Sequence, residues 1–169
     1  MSSTADRFSS ASIHWGTPDH IFEKLERRFK LNLDACAENA EVAKCDRFIS
    51  PEQDSLSSDQ SWEGRVWLNP PYGRGIAKWL EKAQDELENG EAEIVVALLP
   101  NSTGTKWFHS FVVPQLSELI LLHKRVQFVD IKGTAQGVPA GANFDSIVCV
   151  MRPKREIGTP RLSYMEARE

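Results

Sequence analysis

Six consecutive apolar residues, Ile94-Val95-Val96-Ala97-Leu98-Leu99, stop at Pro100. A run this short and this continuous is the signature of a strand buried on both faces, with proline as its terminator. Such a strand demands a layer on each side, so the rest of the chain must supply helices. Two are legible. Ile21, Phe22, Leu25 and Phe29 share one face of a helix expected over Pro18 to Phe29, with Thr17 as N-cap and Pro18 at the first helical position. Ile76, Trp79, Leu80, Ala83 and Leu87 mark a second over Ile76 to Asn89, stopped by Gly90.

Short apolar stretches lie between and after these helices. One strand of about five residues is expected to end near Asp34. Others are expected at Phe48–Ile49, Arg65–Asn69, Glu93–Leu99, Leu119–Leu122, Val126–Val129 and Phe144–Met151. Glu38 to Ala43 reads as a helical turn, and Ser102 to Val113 as a loop followed by a helix that Pro114 ends. Helices alternating with strands give an α/β fold with a mostly parallel sheet. No helix separates Leu119–Leu122 from the last strand, so a closing antiparallel hairpin is open to it. The expected organisation is a flexible amino-terminal tail over 1–13, one domain over 14–152 and a charged tail over 153–169.

At 169 residues a single domain can bury a real core. No run is long and apolar enough to span a membrane, and the polar stretch Met1–Ser12 does not read as a secretory signal. The three cysteines, Cys36, Cys45 and Cys149, show no short metal-ligand spacing and read as reduced thiols of a cytoplasmic protein, with no metal expected. A net charge of -4 argues against non-specific coating of nucleic acid, though not against an enzyme with a local basic patch. The acidic residues from Glu81 to Glu93 read as a solvated helix face. Lys106, Lys124, Arg125 and Lys132 form the stretch that could meet phosphates.

The chemistry concentrates in Val66-Trp67-Leu68-Asn69-Pro70-Pro71-Tyr72-Gly73. A strand ends at an amide, two prolines and an aromatic ring. Pro70 and Pro71 lack amide hydrogens and hold the backbone extended. In open α/β sheets, ligands bind at this carboxyl end of the strands. Asn69 Oδ1 and the Pro70 carbonyl can each accept a hydrogen from an –NH2 group, and Tyr72 can stack on the flat ring that bears it. Two acceptors on those hydrogens draw the nitrogen away from conjugation and make its lone pair more available, so no strong general base is needed.

Asn69-Pro70-Pro71-Tyr72 matches the motif of amino-group methyltransferases that use S-adenosylmethionine. The wider chain resembles the phage and prophage DNA N6-adenine methyltransferases, the compact Dam-type family. The matching pieces are Trp15-x-Thr17-Pro18, Leu33-Asp34-Ala35-Cys36-Ala37, Asp54-Ser55-Leu56, Trp62, Trp67 through Gly73, Leu99-Pro100, Thr105-Lys106-Trp107-Phe108 and Arg125-Val126-Gln127-Phe128. Only the tetrapeptide is specific alone; the order and spacing of all of them carry the rest.

The resemblance implies a trimmed Rossmann-like methyltransferase fold with helices on both faces of the sheet. It implies S-adenosyl-L-methionine as cofactor, duplex DNA with an adenine target as partner, a bacterial host cytoplasm, and GATC as a guess at the site. Asn69, Pro70, Pro71 and Tyr72 would be catalytic. Trp15, Thr17, Pro18, Asp34, Ala35, Asp54 and Asn69 would meet the cofactor. Tyr72 and Phe128 would take the two faces of a flipped base. Arg74, Lys78, Lys106, Arg125 and Lys132 would meet DNA. The usual glycine-rich turn after the first strand is missing, and Asp34 precedes Asn69 by only 35 residues. Two alignments stay open: Asp34 ends the first strand and meets the methionine end, or ends the second and holds the ribose. The short spacing favours the ribose. The same motif also serves RNA adenine and protein glutamine, and a non-catalytic DNA-binding protein on this scaffold is the third reading.

Overall fold

A computed structural model describes residues 15–131, 143–156 and 158–168. The expected tail over 1–13 and the basic Lys132 lie outside them. Among the described residues, seven strands form one sheet in the order β3-β2-β4-β5-β8-β6-β9. These are β2 (Leu33–Asp34), β3 (Arg47–Phe48), β4 (Gly64–Leu68), β5 (Ala92–Pro100), β6 (Leu116–His123), β8 (Ser146–Met151) and β9 (Arg161–Glu166). The pairs β2–β3, β2–β4, β4–β5 and β6–β9 are parallel. β8 is antiparallel to both of its neighbours. The sheet is therefore mixed: one inverted strand sits inside an otherwise parallel array. β6–β8 is the closing antiparallel pair that the missing helix allowed. A separate two-stranded ribbon joins β1 (Trp15–Gly16) to β7 (Val129–Asp130).

The apolar run behaves as its composition requires. Ile94 through Leu99 are all fully buried, as are Val66 and Leu68, and consecutive burial along a strand means that both faces are covered. Helix α1 (Asp19–Phe29) buries Ile21, Phe22, Leu25 and Phe29, and Phe22 meets Trp67 edge-on at 5.5 Å. Helix α2 (Ile76–Glu88) buries Ile76, Leu80, Ala83 and Leu87. Gly90, at φ +82, ends α2 in the left-handed conformation that a side chain resists. The segment after β5 becomes a short π-helical turn over Phe108–Val112, with Pro114 inside the following 3-10 turn.

Three sequence expectations change. The strand ending at Asp34 has two paired residues rather than five; at Asn32 the backbone amide still donates to the Arg65 carbonyl at 2.8 Å, but the Arg65 amide is taken at 2.9 Å by the Asn32 side-chain Oδ1 rather than by a backbone carbonyl. α1 is capped at Pro18, and no side chain caps it. Among the described residues of 153–169, where the sequence predicts a tail, two elements form. Lys154–Glu156 forms a 3-10 turn and Arg161–Glu166 forms the edge strand β9. Its pattern misleads because the apolar Leu162 and Tyr164 face solvent, at 54% and 77% exposure. Backbone pairing with β6 holds the strand, together with a Ser163 hydroxyl donating to the buried Glu118, which also pairs with Arg28 at 2.6 Å.

Candidate active site

The sheet order reverses between β2 and β4: from β2 the chain moves outward to β3, then returns to β4 and continues the other way. Such a switch point opens a crevice at the carboxyl ends of the two strands. Asp34-Ala35 leaves one side of it and Asn69-Pro70-Pro71-Tyr72 the other, with Asp34 opposite Trp67 in the register.

Asn69 is half-buried, and its Nδ2 donates to the Thr17 hydroxyl at 3.1 Å. Its Oδ1 has no hydrogen-bond partner among the described residues. Thr17 is 1% exposed and reaches the site from the turn between β1 and α1. Tyr72 is buried, and its hydroxyl donates to the Leu98 carbonyl at 2.9 Å. Burial holds that phenol far above its ordinary pKa, so it stays a donor. Its ring meets Phe128 edge-on at 6.2 Å and Phe144 edge-on at 5.5 Å. The structure thus brings Tyr72 and Phe128 together, but with Tyr72 edge-on to both Phe128 and Phe144 rather than facing Phe128 as a parallel wall. Phe144 was not singled out in the sequence, where it read only as the start of a strand.

Asp34 is buried, and both carboxylate oxygens are engaged. Oδ1 accepts the Cys36 amide at 3.1 Å and Oδ2 the Lys44 amide at 2.9 Å. Desolvation raises its pKa, and the two amides and the Lys44 charge oppose that rise. These bonds fold the segment after β2 into a compact loop. Ala35 and Ala37 stay small and buried inside it. β2 lies directly beside β4, with β3 outside, so Asp34 ends the first strand out from the switch point. Asp34 precedes Asn69 so closely because, among the described residues, no α-helix lies between β2 and β4, only the short 3-10 turn Pro51–Gln53. Burial also pushes the neighbouring Cys36 and Cys45 thiols up to about 12, which leaves them poor nucleophiles.

Asp54 follows the 3-10 turn Pro51–Gln53, in the left-handed conformation at φ 51, and is exposed. The loop after it is tied to α2. Lys82 Nζ donates to the Ser57 carbonyl at 3.1 Å and the Gln60 carbonyl at 2.6 Å, and lies 2.6 Å from Glu86 Oε1. Glu86 Oε2 accepts the Trp62 amide at 2.8 Å. The Trp62 indole donates to Ser55 and the ring stacks on Trp79. Glu86 is therefore not part of a solvated acidic face. The available signal was its helical position, three residues after buried Ala83 and seven after Trp79, with Lys82 one turn before it.

Arg74, Lys78, Lys106 and Arg125 are all exposed and follow or flank the carboxyl ends of β4, β5 and β6. Strand direction alone puts them on the rim that carries Asn69. Arg125 is paired with Asp145 at 3.2 Å. No helix among the described residues is long and apolar enough to cross a membrane.

An α/β sheet with a switch-point crevice and an Asn-Pro-Pro-Tyr strand end defines the class of amino-group methyltransferases. The match is more particular than that class. The chain belongs to the DNA N-6-adenine-methyltransferase (Dam) family, whose model matches residues 6–169. It is also similar to a DNA N-6-adenine-methyltransferase of Escherichia phage T1, at 37% identity over 98 residues. That match covers 56% of this chain and 38% of the relative's length.

Proposed function

We propose that this chain methylates the N6 amino group of adenine in duplex DNA, with S-adenosyl-L-methionine as donor. The observation that carries the reading is the position of Asn69-Pro70-Pro71-Tyr72 at the switch point, in a chain of this family. Asn69 Oδ1 and the Pro70 carbonyl accept the two amine hydrogens and steer the nitrogen lone pair toward the β2 side of the crevice. Pro70 and Pro71 keep those acceptors from turning inward to backbone amides. The proton leaves after attack, so the site needs no titrating base.

The donor fits the chain's residues on chemical grounds. Small, buried Ala35 and Ala37 let the backbone approach closely, and the exposed Asp54 carboxylate is open to a ligand. Trp15, Thr17, Pro18, Asp34, Ala35 and Asp54 would hold it, with Asp34 acting by shaping its loop. When bound, it supplies a methyl group on a positively charged sulfur. Arg74, Lys78, Lys106 and Arg125 would meet phosphates. The target adenine would leave the duplex, since its amine is out of reach inside the stack. Taking it between Tyr72 and Phe128 requires the trio with Phe144 to part.

The test incubates the protein with radiolabelled S-adenosylmethionine and unmethylated duplex DNA, RNA or protein extract. Label in DNA as N6-methyladenine is expected, and Asn69→Ala should abolish it. Label only in RNA or protein overturns the proposal. Sequencing methylated adenines from expressing cells would then give the site, with GATC as the first candidate.

A further inference from the structure

Thr17 stands where a helix cap is expected, yet its hydroxyl caps nothing. Pro18 is the cap residue of α1, and the first turn has no side-chain cap bond. The hydroxyl reaches across 52 residues of sequence to Asn69 Nδ2 instead. Thr17 is 1% exposed, so its hydroxyl is shielded from bulk solvent where it meets Nδ2. An asparagine amide is nearly symmetric in shape, and its two ends are told apart only by their hydrogen-bond partners. In one orientation Oδ1 faces the crevice and can accept from an amine. In the other, Nδ2 faces it, and a donor meets a donor.

We propose that Thr17 is a positioning residue for Asn69: its hydroxyl, which can donate as well as accept, accepts from Nδ2 here, holds the carboxamide against the turn before α1 and leaves Oδ1 for the target amine. The inference rests on the proposed function for the identity of that amine, and gives Thr17 a role apart from contact with the donor. The β1–β7 ribbon supports it. Trp15 and Gly16 pair with Asp130 and Val129, which fixes the chain just before Thr17 next to the strand that follows Phe128. The hydroxyl is thereby anchored to the base side of the site as well as to α1.

The experiment compares Thr17→Val, which keeps the shape and loses the hydroxyl, with Thr17→Ser, which keeps the hydroxyl. Three quantities are read: single-turnover methylation at saturating donor, the donor's Kd by calorimetry, and hydrogen exchange of the Asn69 side-chain amide by NMR. Thr17→Val is expected to slow transfer on the order of 10²-fold, as loss of alignment at a reacting group does. Saturating donor removes any fall in donor affinity from the comparison, so the slowed step reports the acceptor side of the site. The Asn69 amide should exchange faster, and Thr17→Ser should restore both rate and slow exchange. Unchanged transfer in Thr17→Val, or a weakened Kd with the saturated rate intact, overturns the inference and leaves Thr17 a donor contact. If wild-type protein labels no DNA, the proposed function fails, and the amide exchange still decides whether Thr17 holds Asn69.

Discussion

Glu86→Ala tests the clasp between α2 and the Asp54 loop. The side chains of Lys82 and Glu86 are only 12% and 8% exposed, so solvent screens the pair little. Truncation strands a buried ammonium and frees the Trp62 amide from its acceptor. Removing one partner of a buried ion pair costs about 3–5 kcal/mol. Lys82 keeps its bonds to the Ser57 and Gln60 carbonyls, which places the expected loss near the lower end, about 3 kcal/mol. With a urea slope of about 2 kcal/mol/M, the midpoint should fall by about 1.5 M. Glu86→Gln keeps an acceptor for Trp62 but not the charge facing Lys82, so its loss should fall between zero and that of Glu86→Ala. The assay is equilibrium urea unfolding followed by tryptophan fluorescence, which Trp62 stacked on Trp79 should report strongly. The exposed Glu81→Ala on the same helix is the control. A Glu86→Ala midpoint equal to that of Glu81→Ala would refute the reasoning, because the pair would then behave as a solvated one.

Lys106→Ala should weaken DNA binding by a similar factor for all sequences and reduce the slope of log K against log salt by about 0.9, one phosphate contact; an unchanged slope in a salt titration removes Lys106 from the interface. Glu166 accepts from the His123 ring at 2.9 Å, and that bond holds its carboxyl below the ordinary 4.5. A lowered acid contributes stability above its unfolded pKa and loses it as pH falls through the folded one. Carbon NMR should therefore find a Glu166 midpoint below 4.5 that rises in His123→Ala; a midpoint indifferent to His123 contradicts the pairing.

Where local chemistry decides, the sequence is a reliable guide here. Ile94–Leu99 has no polar residue to show solvent, so it must be a strand covered on both sides. Pro70 and Pro71 must end a strand, and Gly90 must end a helix. The edge strand β9 escaped because edge pairing runs through backbone groups, and Leu162 and Tyr164 point away from the core. The clasp escaped because an acidic run on a helix is usually solvated, and only the loop folded against Glu86 makes it otherwise.

Sequence by itself determined the fold class, the Asn-Pro-Pro-Tyr motif and its end of the strand, because backbone geometry and burial pattern are properties of neighbouring residues. Tertiary structure decided what each polar group touches. Thr17 holds Asn69 rather than capping α1, Asp34 braces its own loop beside β4, and Tyr72 packs edge-on with Phe128 and Phe144. The physical reason is distance along the chain. Asn69 meets Thr17 across 52 residues, and no local rule of spacing or propensity can choose between a hydroxyl's partner one turn ahead and another delivered by the closing of the sheet.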